Sequence, residues 1–268
     1  MESIKDSILK PAKDLGKRLL MRTSHNGNII EKNQGLLVLC YHSIPIEGSW
    51  YYDINADKFE QHLKYLSKKF DIVSPSDLNN SRIFDERIKA MITFDDGYLD
   101  NYINVYPLLD IYETPATFFI TANPIDDTNQ QIVEPVKGLE KKLLNWDQLR
   151  EMAKHEFVTI GSHGLNHIAM SEISREEAKT EMLRSKELIE EKTKNRVNDF
   201  AYPGGFFNDI TGTLLSEIGY KQGFTSVSCV NKIPFNHFQI GRVAVAKQHE
   251  SLHNLSYLLR SVLRRHLE

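Results

Sequence analysis

Cysteine is almost missing from this chain, which excludes one class of architecture. Two cysteines in 268 residues, Cys40 in an apolar run and Cys229 in a serine- and valine-rich stretch, cannot form a disulfide framework, so a hydrophobic core must hold the fold. Long apolar runs are missing too. The longest, such as Leu36 to Tyr41, are strand-sized, far short of the roughly 20 residues a membrane-spanning helix needs. Neither sign of charge dominates, because 33 basic and 36 acidic residues leave a net charge of −3. That balance supplies no overall field for nucleic acid, and no local basic patch points to a nucleic-acid partner. The opening MESIKDSILKPAKDLGKRLLMR has a charge every few residues where a secretory signal has an apolar stretch, so the expected location is cytoplasmic or peripheral to a membrane. Within it Ile4, Ile8, Leu15 and Leu19 are interspersed with Lys5, Lys10, Lys17 and Arg22, a pattern for a basic amphipathic helix broken at Pro11. Such a helix either covers the main domain or makes peripheral membrane contact through residues 1–22.

What is present is enough for one α/β domain: residues 31–268 read as a single unit behind a basic extension over 1–30, and 41% hydrophobic residues can fill its core. Short β-rich apolar runs alternate with helical periodicities, the signature of βα units around a mostly parallel sheet, either barrel or open. The expected strands are Leu36 to Tyr41, Ala90 to Phe94, Ala116 to Thr121, Val158 to Ser162, Phe200 to Tyr202, Gly223 to Val227 and Ile240 to Val245. Phe59, Leu63, Leu66 and Phe70 mark a helix over Asp57 to Phe70, and a Ser-Arg-Glu-Glu capping box opens another over Ser174 to Lys192. Asn123 to Asn145, with Pro124, Pro135 and Gly138, reads as a long loop.

Two segments carry chemistry. In Met91-Ile92-Thr93-Phe94-Asp95-Asp96-Gly97-Tyr98 an apolar strand ends in adjacent carboxylates. Neighbouring side chains on a strand point to opposite faces, so both aspartates serve one site only if the backbone turns after the strand, which Gly97 permits. Strand C-termini are where parallel βα folds assemble their sites, although an aspartate pair there also caps helices. In Phe157 to His167 a second β-rich run leads into His163 and His167, four residues apart. On a helical turn that spacing puts both imidazoles on one face, and two imidazoles with one carboxylate are the donor set by which zinc activates water; the plainer reading is two surface histidines on a loop.

Together, Thr93-Phe94-Asp95-Asp96-Gly97 and His163-x-x-x-His167 resemble the first two motifs of the polysaccharide deacetylase (NodB-homology, carbohydrate esterase family four) superfamily. The resemblance runs from about Leu36 to Val245 and includes Leu39-Cys40-Tyr41-His42, Ala116-Thr117-Phe118-Phe119, Trp146 and Phe200-Ala201-Tyr202-Pro203-Gly204-Gly205. It implies a distorted (β/α)7 barrel with one divalent ion, commonly Zn2+, at its mouth. It further implies Asp96, His163 and His167 as metal ligands, Asp95 as general base, and Tyr202 and Gly204 as substrate-binding residues, the Gly204 backbone N–H, just after Tyr202-Pro203, contacting the oxyanion; without the resemblance the Pro203-Gly204-Gly205 run reads equally as an ordinary turn. The expected partner is an N-acetylated glycan. Trp146 is a candidate sugar-stacking wall or a core anchor, and His42 a candidate pocket-lining residue.

The sequence departs from the family pattern in three places. Ala201 stands where many members carry the arginine that positions the base; Arg242, alone in the apolar Ile240 to Val245 run, is the candidate replacement unless it sits at an exposed strand edge. Gly164 replaces a serine or threonine after the first metal histidine, with loss of a supporting hydrogen bond. No Leu-x-x-x-His motif near the C-terminus supplies a general acid, leaving His42, His237, His249 and His253 to consider. The leading reading is a metal-dependent N-deacetylase. A related amide hydrolase on a non-polymer substrate and a catalytically silent carbohydrate-binding relative are the alternatives.

Overall fold

A strand covered on both faces has no place for exposed polar side chains, which is why LLVLCY at Leu36–Tyr41 (β1) and KAMITF at Lys89–Phe94 (β2) are almost wholly apolar. β1 is buried at all six positions and β2 at its last five. The structure, a computed structural model, describes residues 33–84, 87–125, 132–136 and 139–267. The expected basic helix of residues 1–22 and the extension over 1–30 lie outside the described residues. After β2 come β3 (Ala116–Ile120), β4 (Ile132–Val136), β5 (Leu139–Lys142), β6 (Val158–Ser162), β7 (Asp199–Ala201), β8 (Gln222–Phe224), β9 (Val230–Asn231) and β10 (Val243–Ala244).

Seven of these strands lie parallel in the order β10-β1-β2-β3-β6-β7-β8, with β9 added antiparallel to β1. The sheet curls until Phe224 at the end of β8 meets Ile240 in an isolated parallel bridge, and Ile240 leads into β10. Thr225 N–H donates to the Ile240 carbonyl and Ile240 N–H to the Gly223 carbonyl, each at 2.8 Å. This seam closes the distorted seven-stranded barrel that the family resemblance implied. The helices α1 (Ala56–Lys69), α2 (Tyr106–Tyr112), α3 (Trp146–Met152), α4 (Arg175–Thr193), α5 (Asp209–Ile218) and α6 (Leu252–Leu267) accompany it. The capping box expected at Ser174 is present, with Ser174 accepting from Glu177 N–H at the start of α4.

The period of two along each strand sorts side chains between two cores. Leu37, Leu39, Tyr41, Ile92 and Phe94 belong to the large core shared with the helices, whereas Leu36, Val38, Met91, Phe119, Phe224 and Ile240 form a smaller cluster. The second set fills the barrel lumen. Counting on by twos from it reaches Cys40 within β1 and His42 after it, Asp95 after β2, Thr121 after β3, Ser226 after β8 and Arg242 before β10, so the lumen column of several strands ends in functional chemistry. Phe94, on the other face, is stacked on Tyr41 at 5.6 Å and Phe118 at 4.9 Å, contacts of about 0.5–1.5 kcal/mol each that fix the strand end bearing Asp95.

Two expectations need correction. The segment Asn123 to Asn145 is not simply a loop, because it contains the antiparallel hairpin β4–β5; Pro135 disguised it, and the proline sits where the register shifts between Val133 and Val136. The last expected strands are shorter than their apolar runs, since β8 ends at Phe224 and β10 spans only Val243–Ala244. There the apolar side chains fill the seam without a continuous ladder.

Candidate active site

At the C-terminal end of the barrel lies a cavity of about 500 Å³, lined among others by His42, Asp95, Asp96, His163, His167 and Arg242. The two aspartates reach it together because the chain turns sharply after β2. Asp96 and Gly97 adopt φ of 75° and 85°, a left-handed pair that reverses the strand alternation. Aspartate tolerates that region better than most residues, at a strain of roughly 1–3 kcal/mol of the kind found at functional sites. The turn puts both carboxylates in one cavity.

Asp96 Oδ1 lies 3.6 Å from His163 Nε2 and 3.3 Å from His167 Nε2. Zinc bound tetrahedrally at ordinary ligand lengths sets its donor atoms about 3.3–3.5 Å apart, so this triad fits such an ion. The tautomer also fits. His163 Nδ1 is 2.8 Å from the Ala201 carbonyl, which only accepts, so Nδ1 carries the proton and Nε2 presents its lone pair to the other ligands. Burial lowers the His163 pKa to about 4 and keeps the ring neutral, as ligation requires. His167 is nearly half exposed at the mouth; its hydrogen bond to Asp96 raises its pKa. The loop between the histidines is held from behind by Glu181 of α4, which accepts from the Leu165 and Asn166 N–H groups at 3.1 and 2.9 Å and from the Asn166 amide at 2.6 Å. Gly164, where a hydroxyl residue was expected, has φ of 83° and supplies the turn that needs this support.

Asp95 is 3% exposed and meets Arg242, itself 3% exposed, in a two-pronged contact: Nη1 to Oδ1 at 2.7 Å and Nη2 to Oδ2 at 2.8 Å. The exposed-edge alternative for Arg242 is thereby excluded. Nε donates to the Thr225 carbonyl and Nη1 also reaches Thr93 Oγ1, which fixes the plane of the guanidinium. Burial pushes the Asp95 pKa up, but Arg242 and then His163 outweigh it and hold the carboxyl far below the usual range. The group is ionised and immobilised.

The remaining expected residues divide. His42 lines the cavity, its ring stacked on Tyr52 at 4.4 Å and its carbonyl held by the Asn101 amide. Gly204 and Gly205 form the opposite rim; a side chain at Gly205 would strike the Ser226 backbone, so only glycine brings the chain this close. Trp146 is a correction. It is 3% exposed at the start of α3, packed in the core with Lys192 across its ring, and takes no part in the cavity. Tyr202 is corrected likewise, since its side chain lies buried between Phe200 and Phe207 and its hydroxyl donates to the Phe238 carbonyl. His237, His249 and His253 do not line the cavity; His249 Nδ1 instead accepts from Ala246 N–H.

Sequence reasoning missed the aromatic wall. Trp50, Tyr52 and Tyr98 line the cavity, with Trp50 edge-on to both tyrosines. The wall is braced by Lys141 of the hairpin, which pairs with buried Asp53, donates to Ser43 Oγ at 2.7 Å and lies over the Trp50 ring. The one available signal was the density of aromatics in Trp50-Tyr51-Tyr52.

A sequence model described as polysaccharide deacetylase matches residues 85–223, more than half of the chain and inclusive of both motifs. The chain belongs to the polysaccharide deacetylase family. Among its relatives is the polysaccharide deacetylase candidate YxkH of Bacillus subtilis (strain 168), 30% identical over 200 residues, which are 73% of this chain and 66% of YxkH, just under two thirds of that relative's length. The poly-β-1,6-N-acetyl-D-glucosamine N-deacetylase of Staphylococcus aureus (strain MRSA252) is 24% identical over 73% of this chain and 68% of its own. IcaB from Ammonifex degensii superimposes with a TM-score of 0.71 at 26% identity, over 85% of this polysaccharide deacetylase family member and 97% of IcaB. The Streptococcus pyogenes deacetylase PplD, solved with acetate, shares the fold with a TM-score of 0.71 at 22% identity, over 85% of this chain and 99% of its own.

Proposed function

We propose that this protein is a metal-dependent hydrolase that removes N-acetyl groups from an acetylated glycan. The observation that carries the reading is the juxtaposition of an Asp-His-His triad with a second aspartate held ionised by a buried arginine, all facing one cavity. A binding module has no use for a fixed proton acceptor beside a metal-ligand set. A divalent ion held by Asp96, His163 and His167, Zn2+ by the chemistry of the donors, would supply Lewis-acid polarisation of the acetyl carbonyl and of water.

The chain's own residues supply the rest. Asp95 accepts the proton of the attacking water, and Arg242 keeps it ionised and aimed. The Gly204 backbone at the opposite rim faces the developing oxyanion. His42 is the remaining imidazole lining the cavity among the described residues, and with its Nδ1 unpartnered it is the proton donor for the departing amine. Trp50, Tyr52 and Tyr98 give a sugar ring apolar faces to lie against. The name of the Staphylococcus aureus relative makes a poly-N-acetylglucosamine the first substrate to test. Zinc-loaded protein should release acetate from β-1,6-linked N-acetylglucosamine oligomers, and Asp95→Asn should not. Acetate release that persists undiminished in Asp95→Asn would remove the base from the account; no release from any acetylated sugar would leave a barrel reused for binding.

A further inference from the structure

Beside the proposed metal ligands the lumen holds a second group of donor atoms. Cys40 and His42 on the lumen face at the end of β1 sit next to Asp95, and Cys40 Sγ, a His42 ring nitrogen and an Asp95 oxygen all lie within 4.8 Å of one another. We propose that Cys40, His42 and Asp95 form a second cation site for thiophilic divalent ions, Cd2+ or Zn2+ in excess, whose occupation silences the enzyme. The binding claim stands on the donor geometry; the silencing rests on the hydrolase reading above.

The donor set has the character such ions select: one soft sulfur, one imidazole and one carboxylate. Room on Asp95 remains despite Arg242. A carboxylate has roughly four lone-pair directions; the guanidinium takes one on each oxygen, and the Cys40 thiol points at Oδ2 from 3.4 Å. A cation therefore enters by replacing the thiol proton. The S–H bond breaks, a sulfur–metal bond forms, the proton leaves to water and no oxidation state changes. His42 has a buried ring nitrogen, Nδ1, without a partner, and its ring faces the same cavity. All three residues line that cavity, so an ion reaches them by the route the substrate takes.

The charge of Arg242 on the same carboxylate makes this site weaker than the triad, which has no such neighbour in contact, so it fills second. The two sites adjoin, since His163 Nε2 is 3.7 Å from Asp95 Oδ2 and 3.6 Å from Asp96 Oδ1. An ion there engages the carboxylate that must accept a proton and the imidazole that must donate one. Inhibition by excess metal follows from the same residues that carry the reaction.

The test uses protein loaded with one equivalent of Zn2+ and titrated with Cd2+, followed by equilibrium dialysis and by the ultraviolet sulfur-to-cadmium charge-transfer absorption. The triad contains no sulfur, so the absorption reports thiolate ligation alone. Intact protein and Cys229→Ala should bind a second ion and show the band; Cys40→Ala and the near-isosteric Cys40→Ser should bind one ion and lack it. A band that survives both Cys40 substitutions, or its absence from the intact protein, overturns the site. In the activity arm, excess Zn2+ should inhibit acetate release with an inhibition constant about tenfold or more higher in Cys40→Ser. Unchanged inhibition refutes the silencing. A protein that releases no acetate at all refutes the hydrolase reading while the cadmium titration still decides the site.

Discussion

Replacing Arg242 with methionine keeps the unbranched apolar stem of the side chain and removes the guanidinium with its charge, leaving Asp95 with buried oxygens and without its arginine counter-charge. The pair is 3% and 4% exposed at its side chains, so solvent cannot substitute. Removing one partner of such a pair costs about 3–5 kcal/mol, which in a chain of this size lowers Tm by roughly 6–20 °C. The loss must depend on pH. In the intact metal-free protein the Asp95 pKa is depressed, so its contribution to stability is present above the unfolded value of about 3.9 and is lost as pH falls towards the folded value. In Arg242→Met burial loses its main opponent, with only the neighbouring imidazoles left against it, and raises the folded pKa above the unfolded one, so the native state holds the proton longer and stability falls as pH rises from about 4. The Tm difference between the two proteins should thus already be present at pH 4, where the intact pair is still ionised, and widen towards pH 8. It should be recovered largely by adding Asp95→Asn, which removes the orphaned charge. In the zinc-loaded enzyme the acid limb of kcat/KM should move to higher pH, because the base must be ionised. Differential scanning calorimetry across pH with a matching rate profile decides it. A Tm gap constant from pH 4 to 8, together with an unmoved acid limb, would refute the reasoning.

Burial raises Asp199 at the opposite end of the barrel to about 7 and leaves its Oδ1 unpartnered, so its ionisation subtracts stability as pH rises from about 4 to 7; Asp199→Asn should be more stable than the intact protein by roughly 2–4 kcal/mol above that window and equal below it, as read by denaturant titration. Lys141→Met frees the Trp50 wall, so KM for an acetylated glycan should rise about fivefold, the worth of one aromatic contact, while turnover of a small acetyl ester stays unchanged. Equal effects on both substrates would show that the lysine serves the fold alone. Glu181→Leu leaves three donors of the histidine loop unpaired and should weaken zinc binding by about 10–100-fold in a chelator competition.

The β-strand ends were legible because parallel strands buried on both faces must be apolar throughout, so Asp95 and His163 stand out where those runs stop. The Asp95–Arg242 contact spans 147 positions, and only the cost of an arginine inside an apolar run hinted at it. Side chains that reach the site from loops left no such mark. Trp50 and Tyr52 acquire their role from Lys141, about 90 residues on in a hairpin whose Pro135 masked it, whereas Trp146, ahead of the histidine motif in the chain, points into the core. Glu181 was hidden as one more charge on α4, although its spacing from Ala178, Met182 and Ser185 puts it on the buried stripe.

The most direct test of the metal-centred account is the metal content of purified protein after zinc reconstitution and exhaustive dialysis, compared with that of Asp96→Ala and His163→Ala. The account predicts one tightly held ion per chain that is lost in both variants. An intact protein that holds none, or variants that hold theirs as firmly, would contradict it.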